Sequence, residues 1–392
     1  MQIIGDKVFV GGAFVPCAIE TTGTHIDRVC DAADACVCDE AIDACGGYVV
    51  PGFIDLHFHG AMGADLCDES VESIATIAAY EAQCGVTAIC PATMTFPEDK
   101  LARVMDAVAA YRPAAAESSL VGVNMEGPFI SPGKVGAQNP AYVQPCDAAM
   151  MRRLQDRAGG LIKLVDIAPE EPGALDFIRE MADEVRISIA HTCADYATCS
   201  QAFEAGALHV THMCNAMPGL HHREPGPIGA ARDFLAGVLG ADAGANAGAA
   251  ERFYAELICD GKHVDPAMVR FLFDAFDGHI CCISDSMMAA GLADGDYTLG
   301  GQDVQVHDSL AWLNPTTIAG GVTNVAECVR RLVCEMGIDA VAAIESASIN
   351  PARALGIDAE FGSIAEGKSA DILVLNENFE VEHVILRGQQ IR

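Results

Sequence analysis

Residues 48–60 read YVVPGFIDLHFHG, an apolar, β-rich run that ends on two histidines and a glycine. Just after it, ESIATIAAYEAQ (72–83) has the apolar spacing of a helix, and VTAICP (86–91) is a second apolar run. Strand, helix and strand in that order make a βα unit. The same alternation continues outward through candidate strands Tyr48–Leu56, Val86–Pro91, Leu120–Met125, Ile162–Ile167, Ile187–Ala190, Leu208–Thr211, Ala255–Cys259 and Ile280–Ser284. Helical stretches such as DKLARVMDAVAAY, GALDFIREMADEV and CSQAFEAG lie between them, and VAECVRRLVCEMG and DAVAAIESASINPARALG follow the last strand. Eight such strands predict an α/β fold of the (β/α)8 TIM-like barrel type, with insertions.

The two chain ends read differently. QIIGDKVFV and GGAFVPCAIE near the start, and GSIAEGKSADILVLNENFEVEHVILRGQQI from Gly362 onward, are short strands with turn residues between them. The expectation is a small β-sandwich domain built from residues 1–50 and 357–392, beside a catalytic barrel over 51–356.

Composition limits the function. The 392 residues carry 23 Lys and Arg against 55 Asp and Glu, a net charge of −32 that argues against nucleic acid or an anionic membrane as partner. An anionic small molecule would need a locally basic spot, and His221-His222-Arg223 and Gly261-Lys262-His263 are such spots. The 17 cysteines form no CxxC pair; Cys36 and Cys38 are one residue apart, Cys281 and Cys282 are adjacent, and most lie in apolar runs as small hydrophobes. MQIIGDKVFVGGAFV has no basic region followed by an apolar core, and no apolar run reaches the ~18 residues of a membrane span. A reduced, cytoplasmic protein is expected.

Barrel active sites lie at the C-terminal ends of the strands. The first candidate strand ends in Asp55-Leu56-His57-Phe58-His59, and side chains two apart share a face, so both histidines can address one spot. Glu126 ends the third strand, His191 the fifth, His212 the sixth and Asp285 the eighth. Singly, each can be a packing or solvent-facing residue; together, four His, one Glu and one Asp form a donor set suited to Zn²⁺, Fe²⁺ or Mn²⁺. His209, three residues before His212, is expected on the opposite strand face, so that one of the two points outward; His212 is taken as the ligand because it is nearer the strand end. A metal in such a cluster lowers the pKa of water from about 15.7 to around 7 and polarises a carbonyl oxygen, which suits hydrolysis. Asp285 can take the water proton and deliver it to a leaving nitrogen, or it can be a plain ligand.

PGFIDLHFHG, MEGPFISP, AHT, THMCNAMPGLHHREPG, ICDGKHVDP and SDSMMAAG, in this order, resemble the N-acetylglucosamine-6-phosphate deacetylases of the amidohydrolase superfamily. PGFIDxHxH and the closing GxIAxGKxADxxV are shared widely and imply the fold, whereas EGPF, HxxNAM, HHREPG and DGxHV point to the deacetylases. The resemblance implies that Glu126, His191 and His212 bind the principal metal, that His57 and His59 permit a second, and that Asp285 is the catalytic base and acid. It implies a phosphate group held by Asn215, Ala216 and Arg223, with Arg223 reaching across a homodimer, and a sugar-phosphate contact from His263. One position departs: where the family has G-x-H-x-P, this chain reads Gly136-Ala137-Gln138-Asn139-Pro140. Gln138 donates through its amide but carries no charge, so the metal would bear more of the oxyanion.

The expected activity is hydrolysis of N-acetyl-D-glucosamine 6-phosphate to D-glucosamine 6-phosphate and acetate, with one or two divalent ions (Zn or Fe, also Mn) per subunit. The alternatives are the N-acetylgalactosamine epimer, another N-acyl amino sugar, or a catalytically inert barrel. A cyclic-amidase reading wants a strand-end lysine, and Lys163 lies early in the fourth strand instead.

Overall fold

A computed structural model describes residues 1–34, 41–44, 46–238 and 247–392; Cys36 and Cys38 lie outside the described residues. The barrel strands are Phe53–Asp55, Val86–Ile89, Ser119–Leu120 continued by Val123–Glu126, Ile162–Ile167, Arg186–Ile189, His209–Val210, Tyr254–Ile258 and Ile280–Ile283. Neighbours pair in parallel in chain order, in a three-stranded and a six-stranded section. Asn124 N–H to Pro91 O (3.0 Å) and Thr93 N–H to Asn124 O (2.9 Å) join the two sections. Asp285 N–H to His57 O (3.0 Å) and His59 N–H to Ser286 O (2.7 Å) bring the eighth strand back to the first.

Most strand residues are buried on both faces, as parallel strands covered by helices must be. The covering helices begin with Val71–Cys84, Glu98–Ala110 and Ala148–Arg157 and continue around to Val325–Cys334. Polar caps start them: Ser70 Oγ accepts from Ser73 N–H (3.2 Å), Asp195 from Thr198 N–H (2.8 Å) and Asn324 from Glu327 N–H (3.0 Å).

Both chain ends join one eight-stranded sheet, in which Ile372–Leu375 runs antiparallel to Tyr48–Pro51. Gly11 and Gly12, at φ +60° and +80°, make the two-residue hairpin between its first strands, Gln2–Val10 and Ala13–Thr22. The sheet curls until Ile26 N–H reaches Lys368 O (2.9 Å) and Ala370 N–H reaches Thr24 O (2.9 Å), around a separate core of Ile3, Ile19, Ile26, Val49, Ile372 and Ile385.

Two differences from the sequence reading have clear causes. The expected first strand, Tyr48–Leu56, is two strands, because the chain passes from terminal sheet to barrel at Gly52. A Cβ there would lie 2.1 Å from Thr87 Oγ1, so only glycine fits the crossing. Between the eighth barrel strand and its helix lies an unanticipated four-stranded antiparallel sheet: Gly295–Leu299, Gln302–His307, Leu310–Asn314 and Thr317–Gly321. Two of its three hairpin turns, Gly300-Gly301 and Asp308-Ser309, have positive φ at both residues. No helix among the described residues is long and apolar enough to cross a membrane, and the 14 described cysteines are free.

Candidate active site

Where the first, third, fifth, sixth and eighth strands end, the chain turns out of the sheet, and at three of these points it does so through a left-handed residue. His191, His212 and Asp285 have φ of 41°, 26° and 47°. Such conformations cost non-glycine residues about 1–3 kcal/mol and persist where surrounding contacts hold them. Here they aim His191 and His212 at Glu126, and Asp285 at His59 and His57. The Glu126 carboxylate lies 2.9 Å from His191 Nε2, 3.2 Å from His212 Nε2, 3.3 Å from His59 Nε2 and 3.7 Å from His57 Nε2. Asp285 Oδ1 is 3.4 Å from His59 Nε2 and 3.9 Å from His57 Nε2.

This geometry fits a divalent ion. Donor atoms of His57, Glu126 and His212 lie within 4.8 Å of one another, and so do those of His57, His59 and Asp285. Ligand atoms around a tetrahedral Zn²⁺ at about 2.0–2.1 Å stand roughly 3.3 Å apart, close to the spacings here. His57 Nε2 is buried with no hydrogen-bond partner, as a nitrogen reserved for a metal would be.

The electrostatics agree. Asp55, Glu126, Asp166 and Glu256 are all buried around the strand ends, and a buried carboxyl group must either be paired with a cation or keep its proton. Burial works against a charged His57, yet Glu256 and Glu126 outweigh it and lift the imidazole well above its usual range. Burial likewise raises Glu126, but His57 and the hydrogen bonds from His191 and His212 draw it well below the ordinary carboxylate range. Burial and the negative charge of Glu256 push Asp166 well up, against the pull of His57 and the hydrogen bond from Thr211.

A cavity of about 520 Å³ opens above these groups. The loop through Lys134 and Gln138 forms one wall and residues 316–320 of the inserted sheet form another. His59, Glu126, His191, His212 and Asp285 face this cavity, and His57 lies below them, fully buried. Asn215, Ala216 and His263 also line it. His263 Nδ1 is held by Asp260 Oδ2 at 2.7 Å, leaving Nε2 without a partner. Gln138 donates from Nε2 to Glu126 Oε2 (2.7 Å) and accepts at Oε1 from Thr95 N–H (2.6 Å).

Arg223 is not brought to this cavity within the protomer. It is exposed, 2.7 Å from His222 Nε2, and lines a separate cavity of about 930 Å³ with His221 and Tyr196.

His209 corrects the strand-face expectation, since neither it nor His212 points outward. The sixth strand ends at Val210, so His212 lies beyond it in a left-handed turn where strand alternation no longer applies. His209 is fully buried, with Nε2 3.2 Å from Glu256 Oε1. Glu256 itself was missed, although a lone acid inside the apolar run FYAELIC was a readable signal.

The comparisons with known proteins come to the same place. The amidohydrolase family model matches residues 48–391. N-acetylglucosamine-6-phosphate deacetylase of Bacillus subtilis is 37% identical over 347 residues, covering 87% of this chain and 83% of the relative. N-acetylgalactosamine-6-phosphate deacetylase of Escherichia coli O157:H7 is 33% identical over 341 residues, 86% of each chain. Among solved structures, a mutant N-acetyl-D-glucosamine-6-phosphate deacetylase of Mycobacterium smegmatis in complex with N-acetyl-D-glucosamine-6-phosphate superposes with a TM-score of 0.89 at 29% identity, covering 100% of this chain and 98% of that one. The N-acetylglucosamine-6-phosphate deacetylase of Thermotoga maritima gives 0.82 at 26% identity, covering 100% and 99%. With the strand-end donor cluster, the barrel and a family match over nearly the whole length in agreement, the chain belongs to the amidohydrolase family.

Proposed function

We propose that this chain is a metal-dependent deacetylase that hydrolyses N-acetyl-D-glucosamine 6-phosphate to D-glucosamine 6-phosphate and acetate, a step of amino sugar catabolism. The observation that carries the reading is the convergence of His59, His191, His212, Glu126 and Asp285 on the floor of one cavity, with His57 buried directly beneath. The similarity to deacetylases of phosphorylated amino sugars supplies the substrate class.

A divalent ion on Glu126, His191 and His212, with His57 and His59 available for a second, supplies Lewis acidity toward water and the acetyl carbonyl oxygen. We take zinc, iron or manganese as the candidates. Asp285 removes a proton from the attacking water as its oxygen bonds to the carbonyl carbon. Asp285 then returns the proton to nitrogen as the C–N bond breaks. Burial raises Asp285, but the hydrogen bond with His59 and the nearby His57 outweigh it, so the carboxylate is ionised and ready to accept. One N–H of Gln138 is committed to Glu126; a primary amide has a second, which donates to the carbonyl oxygen as negative charge develops there.

Asn215, Ala216 and His263 hold the sugar phosphate, and Arg223 completes the phosphate site from the partner subunit of a homodimer. Its exposed position and distance from its own cavity suit that role. The working locale is the cytoplasm. The domain boundaries we adopt are 1–50 with 357–392 for a small β-sandwich domain and 51–356 for the barrel.

A second reading, the N-acetylgalactosamine 6-phosphate epimer, is favoured by one relative at 33% identity. Side-by-side kcat/KM values on the two epimers separate them. The glucosamine epimer is expected to be turned over at least tenfold better, and the opposite order moves the assignment to the galactosamine epimer.

A further inference from the structure

Glu256 lies on the seventh strand, fully buried, and takes no direct part in the site described above. Its contacts nevertheless reach both donor groups. Oε2 is 2.8 Å from His57 Nδ1 and accepts from the His212 backbone N–H at 3.1 Å, while Oε1 is 3.2 Å from His209 Nε2. The Glu256 carbonyl oxygen accepts from Met213 N–H at 2.9 Å. One residue thus grips the first strand through His57 and the His212 turn through two backbone bonds.

We propose that Glu256 is the positioning residue of the metal centre, setting the tautomer of His57 and the aim of His212, and thereby the affinity for metal. An ionised carboxylate only accepts hydrogen bonds, so His57 must carry its proton on Nδ1. Nε2 is then the nitrogen that gives up its proton and offers its lone pair when an ion binds; it is directed at the space between Glu126 and Asp285, where it has no hydrogen-bond partner. His57 belongs to both candidate donor groups, so its tautomer affects both. Asn124 fits the same scheme: its Oδ1 is unpartnered and its Nδ2 lies 3.2 Å from His57 Nδ1, and a half-turn of the amide brings that oxygen to the Nδ1 proton. At His212, with φ 26°, the two backbone bonds to residue 256 are the restraint that a left-handed non-glycine turn requires.

The proposal rests on the metal-dependent reading, and its test uses no substrate, so an error in the substrate assignment would not affect it. Glu256→Gln keeps the shape and removes the charge. After chelation, the unmodified protein and the variant are titrated with Zn²⁺ against a chromophoric chelator. Loss of a group that orients a metal-bound histidine typically costs about 10–100-fold in affinity, and a loss in that range is expected here. At saturating Zn²⁺ the variant should keep the substrate KM of the unmodified protein, with any deficit confined to kcat. Zinc affinity within twofold of the unmodified protein overturns the proposal. Should Glu256→Gln not fold, histidine ¹⁵N NMR of the unmodified zinc-loaded protein decides: His57 protonated at Nδ1 and coordinated at Nε2 supports it, and the reverse overturns it.

Discussion

Asp371 joins the terminal sheet to the barrel, and it is there that the structure makes its sharpest statement about stability and pH. Its carbonyl accepts from Gly52 N–H at 2.8 Å, at the chain crossing, and Oδ1 accepts from Arg387 N–H at 2.7 Å. Oδ2 is buried with no partner. Burial dominates and pushes the acid from 3.8 up to about 6, against the downward pull of the Arg387 and Ser369 hydrogen bonds. Between those values the folded chain holds a proton that the unfolded chain has released, so stability falls as pH rises through this window and is level above it. The burden is roughly 3 kcal/mol by pH 7.5 and about half that at pH 5. Asp371→Asn does not titrate. Its new N–H is left unpaired at a cost of about 1–3 kcal/mol, but that cost is the same at every pH. Relative to the unmodified protein, the variant should therefore gain about 1.5 kcal/mol between pH 5 and pH 7.5. Equilibrium urea unfolding of both proteins across this range, at fixed metal loading, measures the difference. Parallel stability curves would refute the reasoning.

Arg223→Ala should raise KM for the phosphorylated sugar at least tenfold while leaving kcat within a few-fold, as steady-state kinetics would reveal; an unchanged KM removes Arg223 from the phosphate site. Phe253, fully buried with ring centroids 5.7, 5.9 and 6.4 Å from Phe203, Phe234 and Phe276, packs just before the seventh strand begins. Phe253→Ala should cost about 3–5 kcal/mol in urea unfolding with no change in metal content, since the donors lie at the other end of the strands.

The barrel was legible because parallel strands buried on both faces read as near-continuous apolar runs, and because the chemistry sits where those runs stop. His57, His59, Glu126, His191, His212 and Asp285 could all be picked out by asking which polar residue follows each run, and the structure brings all six together. What escaped depended on three-dimensional packing. The break at Gly52 exists because Thr87, 35 positions away in the chain, leaves no room for a side chain. The face assigned to His209 failed because the period-two rule was carried past the end of a two-residue strand. The inserted sheet was overlooked even though QDVQVH alternates between exposed and buried residues and its turns carry Gly-Gly and Asp-Ser. Glu256 reads as one acid in an apolar strand, and only the fold sets it against His57, 199 residues earlier. Arg223 stands out in the sequence as a rare cation, while the protomer alone places it on its own surface.

The central claim is metal-assisted amide hydrolysis with Asp285 moving the proton. Acetate release from N-acetyl-D-glucosamine 6-phosphate, measured for the unmodified protein and Asp285→Asn with metal content determined on the same samples, tests it most directly. The unmodified protein should release acetate and the variant should lose about 10²–10⁴-fold in kcat while retaining its metal. Near-normal turnover in the metal-loaded variant would contradict the claim.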